Sequence, residues 1–364
     1  MGCLSFPGKL LQVKPRQSSS HRRGVAVAPA DQLADSCGHG GGVGFSGQEI
    51  SVRKYNWEEI QQVTANFATL IGSGGFSSVY LDVRKRAVKT HSDSHFLHRV
   101  FLQELEILLH LRHPFIVTLL GYCDDHDRGA LVFEYFSNGS LQDLLHGDHK
   151  SKRVIPWRRR MVIAFQLAQA LEHLHENCDP QIVHGDIKAS NVLLDKNLNC
   201  KLCDFGSAKK GFSGSVSNSS AGRTSRQYAK MMTGSPGYTD PHYLRTGLSS
   251  KKNDIYSYGV VLLELVTGAE AFCCTRNLPL TSIFRPALED ARTWKIEEVI
   301  DSRLMAASPP SAAERLEVRS MLSLAASCLH ESPTSRPSAT QICATIISSS
   351  SLELLENVNV KKSL

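Results

Sequence analysis

Apolar residues recur at helical spacing from Trp57 through Ile60 and Val63 to Phe67, directly after Asn56, a good helix-capping residue. This predicts a short lead-in helix within residues 55–69. The pattern then changes to brief apolar runs between turn residues. Ile71-Gly72-Ser73-Gly74-Gly75-Phe76-Ser77-Ser78-Val79-Tyr80 reads as strand, glycine turn and strand. Ala87–Lys89 is the next strand, after a tight turn near Arg84–Arg86, and Phe115–Tyr122 and Ala130–Phe133 are two more. Between them Val100–Leu111 is predicted helical, with Leu102, Leu105, Ile107, Leu108 and Leu109 on a broad apolar face. Beyond Ser140, a predicted cap, the 3.6-residue rhythm takes over. It runs through Met161, Ala164, Phe165, Ala168, Leu171 and Leu174 within Trp157–Asn177. Asp254–Gly268 is apolar on most sides, as a buried central helix would be, and further helices are expected near Ile296–Ile300, Glu314–Cys328 and Ala339–Ser348. Strands with one long helix, followed by a mainly helical half, make this an α+β chain.

Composition narrows the picture. The chain has 364 residues, 41% hydrophobic and 21% charged, enough for one large or two smaller cores. The net charge of +6 is too mild to indicate nucleic-acid binding. No apolar run approaches the ~18 residues of a membrane span, and the best candidate, Val260–Val266, is short and contains Glu264. Ten scattered cysteines without an apolar leader fit reduced thiols inside a cell. Residues 1–54, with Ser18–Ser20 and a glycine-rich run from Gly38 to Gly44, hold too few large apolar side chains to offset ordering entropy. Residues 350–364 are a polar tail.

The chemistry lies between His184 and Gly206. Asp186 and Asp204 are eighteen residues apart, which leaves room for a hairpin of Val192–Leu194, a turn at Lys196–Asn199, and Lys201–Cys203. Such a hairpin returns both carboxylates to one end, with Asn191 between them. One carboxylate can take a hydroxyl proton, while a carboxylate and an amide can hold Mg²⁺, which prefers hard oxygen donors and substrate phosphates. That is equipment for phosphoryl transfer. Cys200-x-x-Cys203 does not suggest zinc, because thiols an odd number apart on a strand face opposite ways. His110 and His113 are read as a helix end leading into Pro114.

His184-Gly-Asp-Ile-Lys-Ala-Ser-Asn191, Asp204-Phe-Gly206, the glycine turn and Ala87-Val-Lys89, in this order, resemble the eukaryotic protein kinase family over residues 70–349. The resemblance implies a two-lobed fold, a small antiparallel β lobe with one helix and a larger helical lobe, with Mg·ATP in the cleft. It implies Asp186 as base, Lys188 for charge stabilisation at the phosphate, and Lys89 on the α- and β-phosphates. Asn191 and Asp204 would be the Mg²⁺ ligands. Glu104 would pair with Lys89, with Glu106 as the alternative. Ile71, Gly72, Gly74, Val79 and Ala87 would enclose the nucleotide, and the backbone of Glu134 and Phe136 would meet the adenine edge in front of Phe133. Asp254 would brace the catalytic loop. Gly121-Tyr-Cys, Asn138-Gly-Ser-Leu141 and the Trp57-Glu-Glu-Ile lead-in resemble plant receptor-like cytoplasmic kinases, which act on Ser/Thr of protein substrates downstream of receptors.

Three positions depart from the family: Ser77 for a glycine, Gly185 for the arginine before the base, and His242 for a glutamate that pairs with the arginine matched by Arg336. The rival reading is therefore a pseudokinase scaffold. For Arg336 the replacement partner is expected to be either His242 or Asp240. A nucleotide-oxidoreductase reading fails for want of a strand–glycine–helix unit. The start Met-Gly2-Cys3 suggests myristoylation at Gly2 and palmitoylation at Cys3, and five basic residues without an acid follow within residues 1–30. That reading puts the protein at the cytoplasmic face of the plasma membrane. Phe6 where the motif has Ser/Thr counts against it, and a solvated cytoplasmic tail or an organelle transit peptide are the alternatives.

Overall fold

The computed structural model describes residues 52–74, 77–91, 94–125, 128–147, 154–211, 234–289 and 295–349. Gly2 and Cys3, the hydroxyl-rich stretch from Ser213 to Ser225, and the tail lie outside the described residues.

The small lobe is a six-stranded sheet. Its strands are β1 (Arg53–Lys54), β2 (Leu70–Ser73), β3 (Ser77–Leu81), β4 (Arg86–His91), β5 (Leu119–Cys123) and β6 (Ala130–Glu134), in the order β1-β5-β6-β4-β3-β2. All neighbours run antiparallel except β1, which pairs parallel with β5. The small lobe is the antiparallel sheet expected, with one parallel strand, β1, added at its edge from the end of the stretch read as linker. Arg53 and Lys54 belong to the sheet, and the lead-in is a strap over its outer face. The strap continues into α1 (Trp57–Val63), whose start is closed by a capping box between Asn56 and Glu59. Tyr55 and Ile60 bury against Val88, Cys123, Ala130 and Val132. A Cβ on Gly121 would sit 2.5 Å from the Tyr55 ring and 2.7 Å from the Arg53 carbonyl oxygen, so only glycine lets the strap approach β5. The turn before β4 is as tight as expected. Asp82 accepts the backbone N–H groups of Arg84 and Arg86 at 2.8 and 2.7 Å around Lys85, whose φ is +57°.

The long helix α2 (His95–His110) starts earlier than Val100. Leu97 and Phe101 continue the stripe of Leu105 and Leu108 one turn at a time, and all four are buried. Leu102, assigned to that face from its spacing, is 43% exposed. It lies one residue past Phe101, about 100° around the helix.

The large lobe is helical. The helices that position the site are α3 (Leu141–His146), α4 (Trp157–Glu172), α5 (Pro241–Thr246), α6 (Lys251–Thr267), α7 (Ala312–Cys328) and α8 (Ala339–Ser349). Shorter helices intervene between α6 and α7. From Ile255 to Val266 only Ser257 of α6 escapes full burial, as the all-round apolar pattern predicts. None of the described helices is long and apolar enough to cross a membrane.

His113, after α2, stacks on His173, just past α4, with ring centres 4.8 Å apart. Burial first, then the charges of His173 and Lys201, push His113 down to about 4. Its folded-state pKa lies below the ordinary value of 6.5, so the unfolded chain takes up the proton first. This contribution is complete above about pH 6.5 and is lost as pH falls towards 4. The expected result is a melting temperature that declines across this window less steeply in His113→Gln than in wild type. Equal slopes would contradict it.

Candidate active site

Three local structures deliver the polar groups. The first is β4. Cross-strand register places Val79, Ala87, Lys89, Leu131 and Phe133 on one face, since Val79 faces Lys89, Lys89 faces Leu131, and Ala87 faces Phe133. Gly72 lies opposite Val79 beside a bulge, Ile71 is 37% exposed there, and the Gly74 N–H donates to the Ser77 carbonyl at 2.8 Å. The chain leaves β6 at Glu134, which is exposed, and turns inward at Phe136, which is buried.

The second is the hairpin of β7 (Val192–Leu194) and β8 (Cys200–Leu202), whose register pairs Val192 with Leu202. Asp195 closes its turn by accepting the N–H groups of Asn197 and Asn199. The result is the predicted return of Asp204 towards Asp186. The third is α2, which presents Glu104 to Lys89.

Lys89 Nζ bonds both oxygens of Glu104 at 2.8 and 2.9 Å and Asp204 Oδ1 at 2.7 Å. Burial alone would lower the Lys89 pKa, but the charges of Glu104 and Asp204 outweigh it and hold it above the ordinary lysine value. Lys89 in turn holds the Asp204 carboxyl well below its usual range. Glu104 Oε1 also accepts the Phe205 N–H at 3.2 Å, so one carboxylate ties helix, lysine and Asp-Phe-Gly together. Glu106 is exposed and pairs with Lys210 at 2.8 Å, which decides between the two glutamates. Asp204 adopts a left-handed backbone, φ +65°, and its side chain is 43% exposed.

On the facing side, Asn191 Nδ2 donates to the Asp186 carbonyl at 2.8 Å and to Asp186 Oδ2 at 3.1 Å. Lys188 Nζ lies 2.7 Å from Asp186 Oδ2 and donates to Ser235 Oγ at 2.9 Å. Ser235 donates its hydroxyl to Asp186 Oδ1 at 2.8 Å. Beneath, Asp254 accepts the N–H groups of His184 and Gly185, both at 2.8 Å. His184 Nδ1 accepts the Asp186 N–H, which fixes Nε2 as the donor to the Cys203 carbonyl. Gly185 has φ +78°, and a Cβ there would meet the Ser207 carbonyl oxygen at 2.8 Å. The donor set fits a hard divalent cation. Asn191 commits its amide nitrogen to Asp186 and keeps Oδ1, and Asp204 engages Lys89 through Oδ1 and keeps Oδ2. A cleft of about 440 Å³ is lined by Gly74, Lys89, Asp186, Lys188, Asp204 and Ser235 among others. Ile71, Val79, Ala87, Glu134 and Phe136 are not in its lining; they follow the sheet and the segment leaving it.

Residues 66–346 match the protein kinase domain family. The chain belongs to the protein kinase family. The kinase is 50% identical over 313 residues to a probable receptor-like protein kinase of Arabidopsis thaliana, covering 82% of this chain and 89% of that one. It is 48% identical over 300 residues to the salt tolerance receptor-like cytoplasmic kinase 1 of Oryza sativa subsp. japonica, covering 80% and 79%. A probable LRR receptor-like serine/threonine-protein kinase of Arabidopsis thaliana is 36% identical over 300 residues, 80% of this chain but 31% of the relative. The family boundary at residue 66 leaves the strap outside the matched domain, although β1 is hydrogen-bonded into the same sheet.

Sequence reasoning missed several groups around the kinase site. His91 Nε2 approaches Glu104 Oε2 at 3.4 Å. Tyr238 and the buried Glu264 form a further contact below the catalytic loop. Neither carries a local signal, because the partners come from separate elements.

Proposed function

We propose that this kinase is catalytically active and transfers the γ-phosphoryl group of Mg·ATP to Ser/Thr hydroxyls of protein substrates, downstream of a receptor kinase. The observation that carries this reading is the Ser235 hydroxyl on Asp186 Oδ1 with Lys188 beside it. A substrate hydroxyl meeting the same carboxylate can give up its proton there, and Lys188 can offset charge on the transferring group. Lys89, held by Glu104, takes the nucleotide phosphates. Ile71, Gly72, Gly74, Val79 and Ala87 enclose the nucleotide, and the backbone of Glu134 and Phe136 positions its base. Asn191 and Asp204 would hold Mg²⁺, which would supply positive charge at the phosphates of the bound nucleotide. Autophosphorylation followed by mass-spectrometric site mapping tests this. Phosphate on Ser or Thr supports it. ATP binding without transfer would instead establish the scaffold reading.

Activity does not require phosphate in the segment before Gly234. Gly185 supplies no cation for such a phosphate to neutralise. Alanine at Ser213, Ser215, Ser217, Ser219, Ser220, Thr224 and Ser225 together is expected to leave peptide phosphorylation nearly intact. Collapse to background would contradict this.

The protein works at the cytoplasmic face of the plasma membrane, tethered through acyl chains on Gly2 and Cys3. A single myristoyl chain binds only marginally, so Cys3 and the basic residues of positions 1–30 provide the second signal. A C-terminal fluorescent fusion is expected at the cell periphery and soluble in Gly2→Ala. An unchanged distribution in Gly2→Ala, or signal inside an organelle, would exclude the tether.

A further inference from the structure

The segment Gly234–Tyr238 is held against the catalytic loop at two points. One is Ser235 on Asp186 and Lys188. The other is Tyr238, which is buried and donates its hydroxyl to Glu264 Oε2 at 2.6 Å, while its oxygen accepts the Ala189 N–H at 3.3 Å. Burial, and then the Glu264 charge, push the Tyr238 phenol far above its ordinary range, so it stays a donor. The first point cannot persist through a reaction cycle, because a substrate hydroxyl reaching Asp186 displaces Ser235. The second does not use Asp186 or Lys188 and must hold the segment when the first opens.

What orients Glu264 comes from elsewhere in the chain. Glu264 sits in α6 between Leu263 and Leu265 and is 1% exposed. Its other oxygen, Oε1, lies 2.9 Å from Nε2 of His146, the last residue of α3, whose side chain is 6% exposed. With Tyr238 on one oxygen and His146 on the other, the carboxylate has one orientation. Without His146, Oε1 is left buried with no other hydrogen-bond partner among the described residues, and the carboxylate is free to turn away from Tyr238.

We infer that His146 is a positioning residue for the peptide-binding segment, acting through Glu264 and Tyr238 on Gly234–Tyr238. The inference rests on the kinase reading proposed above, because a peptide whose hydroxyl reaches Asp186 must pass along this segment.

The test compares wild type, His146→Leu and His146→Gln, using full-length protein, ATP and a synthetic peptide of residues 211–227 as acceptor. Leucine fills the space without a donor, whereas glutamine restores an N–H towards Glu264. His146→Leu is expected to raise the peptide KM about tenfold, the scale of one buried acceptor left unpaired. The KM for ATP should stay within about twofold, and His146→Gln should recover most of the loss. Hydrogen–deuterium exchange in Gly234–Tyr238 should be faster in His146→Leu and near wild type in His146→Gln. Exchange unchanged in His146→Leu, an equal rise in both KM values, or no rescue by glutamine would each overturn the inference. The exchange measurement does not depend on turnover. Absence of transfer by wild type would sink the kinase reading, while the exchange pattern would still decide whether His146 holds the segment.

Discussion

Asp186→Asn is expected to lower phosphoryl transfer by at least ~10²-fold, the scale of losing a positioned general base. Asparagine keeps the shape and one acceptor oxygen for Ser235, while Lys188 keeps its bond to Ser235 and Asn191 its bond to the backbone carbonyl of residue 186. It cannot take a proton from a hydroxyl. The loss should therefore fall on kcat, with the KM for ATP nearly unchanged, since Lys89, Glu104 and Asp204 form a separate bonded group. Single-turnover kinetics with purified protein checks this. A wild-type rate no higher than that of Asp186→Asn would mean a nucleotide-binding scaffold.

Asp240→Asn is expected to destabilise the folded domain by about 3–5 kcal/mol, the range for removing one charge of a buried pair. Of the two partners open to Arg336 from the sequence, the structure selects Asp240. Arg336 bonds its two oxygens at 2.6 and 2.9 Å, and both side chains of this ion pair are fully enclosed. Asp240 also caps α5 by accepting the His242 N–H at 2.8 Å, and it accepts Asn253 Nδ2 at 2.7 Å. The Arg336 guanidinium stacks over the Tyr256 ring at 5.1 Å. A carboxylate at the start of α5 thus serves where the family has glutamate two residues later. Among the described residues, the hydrogen bonds of His242 run through its backbone, from its N–H to Asp240 and from Thr246 to its carbonyl. The melting temperature of Asp240→Asn should fall on the order of 10 °C. His242→Ala should stay within ~0.5 kcal/mol of wild type, as at a site without a specialised side-chain contact. A larger loss in His242→Ala than in Asp240→Asn would reverse the assignment.

The spacing of Asp186, Asn191 and Asp204 was readable because a short hairpin joins them, and hairpin geometry follows from local turn chemistry. Glu104 was readable as one of two candidates, since helical periodicity puts residues 104 and 106 on different faces but does not say which face meets β4. The strap at Arg53–Tyr55 was not readable. Three residues carry no periodicity, and the requirement for glycine at position 121 exists only once Tyr55 lies on it. Leu102 was misplaced because helical spacing alone cannot locate the edge of a buried stripe.

By itself the sequence showed most of the strands and helices and membership in the kinase family, and it named candidates for taking a proton, carrying phosphate charge and ligating a cation. All of these depend on side-chain chemistry at short spacing. Tertiary packing settled the partnerships across long separations. Arg336 meets Asp240 across 96 positions, and His146 meets Glu264 across 118. A buried charge or polar atom needs some partner, and composition can predict that need. Which atom answers it depends on how distant elements dock, and no local period along the chain records that.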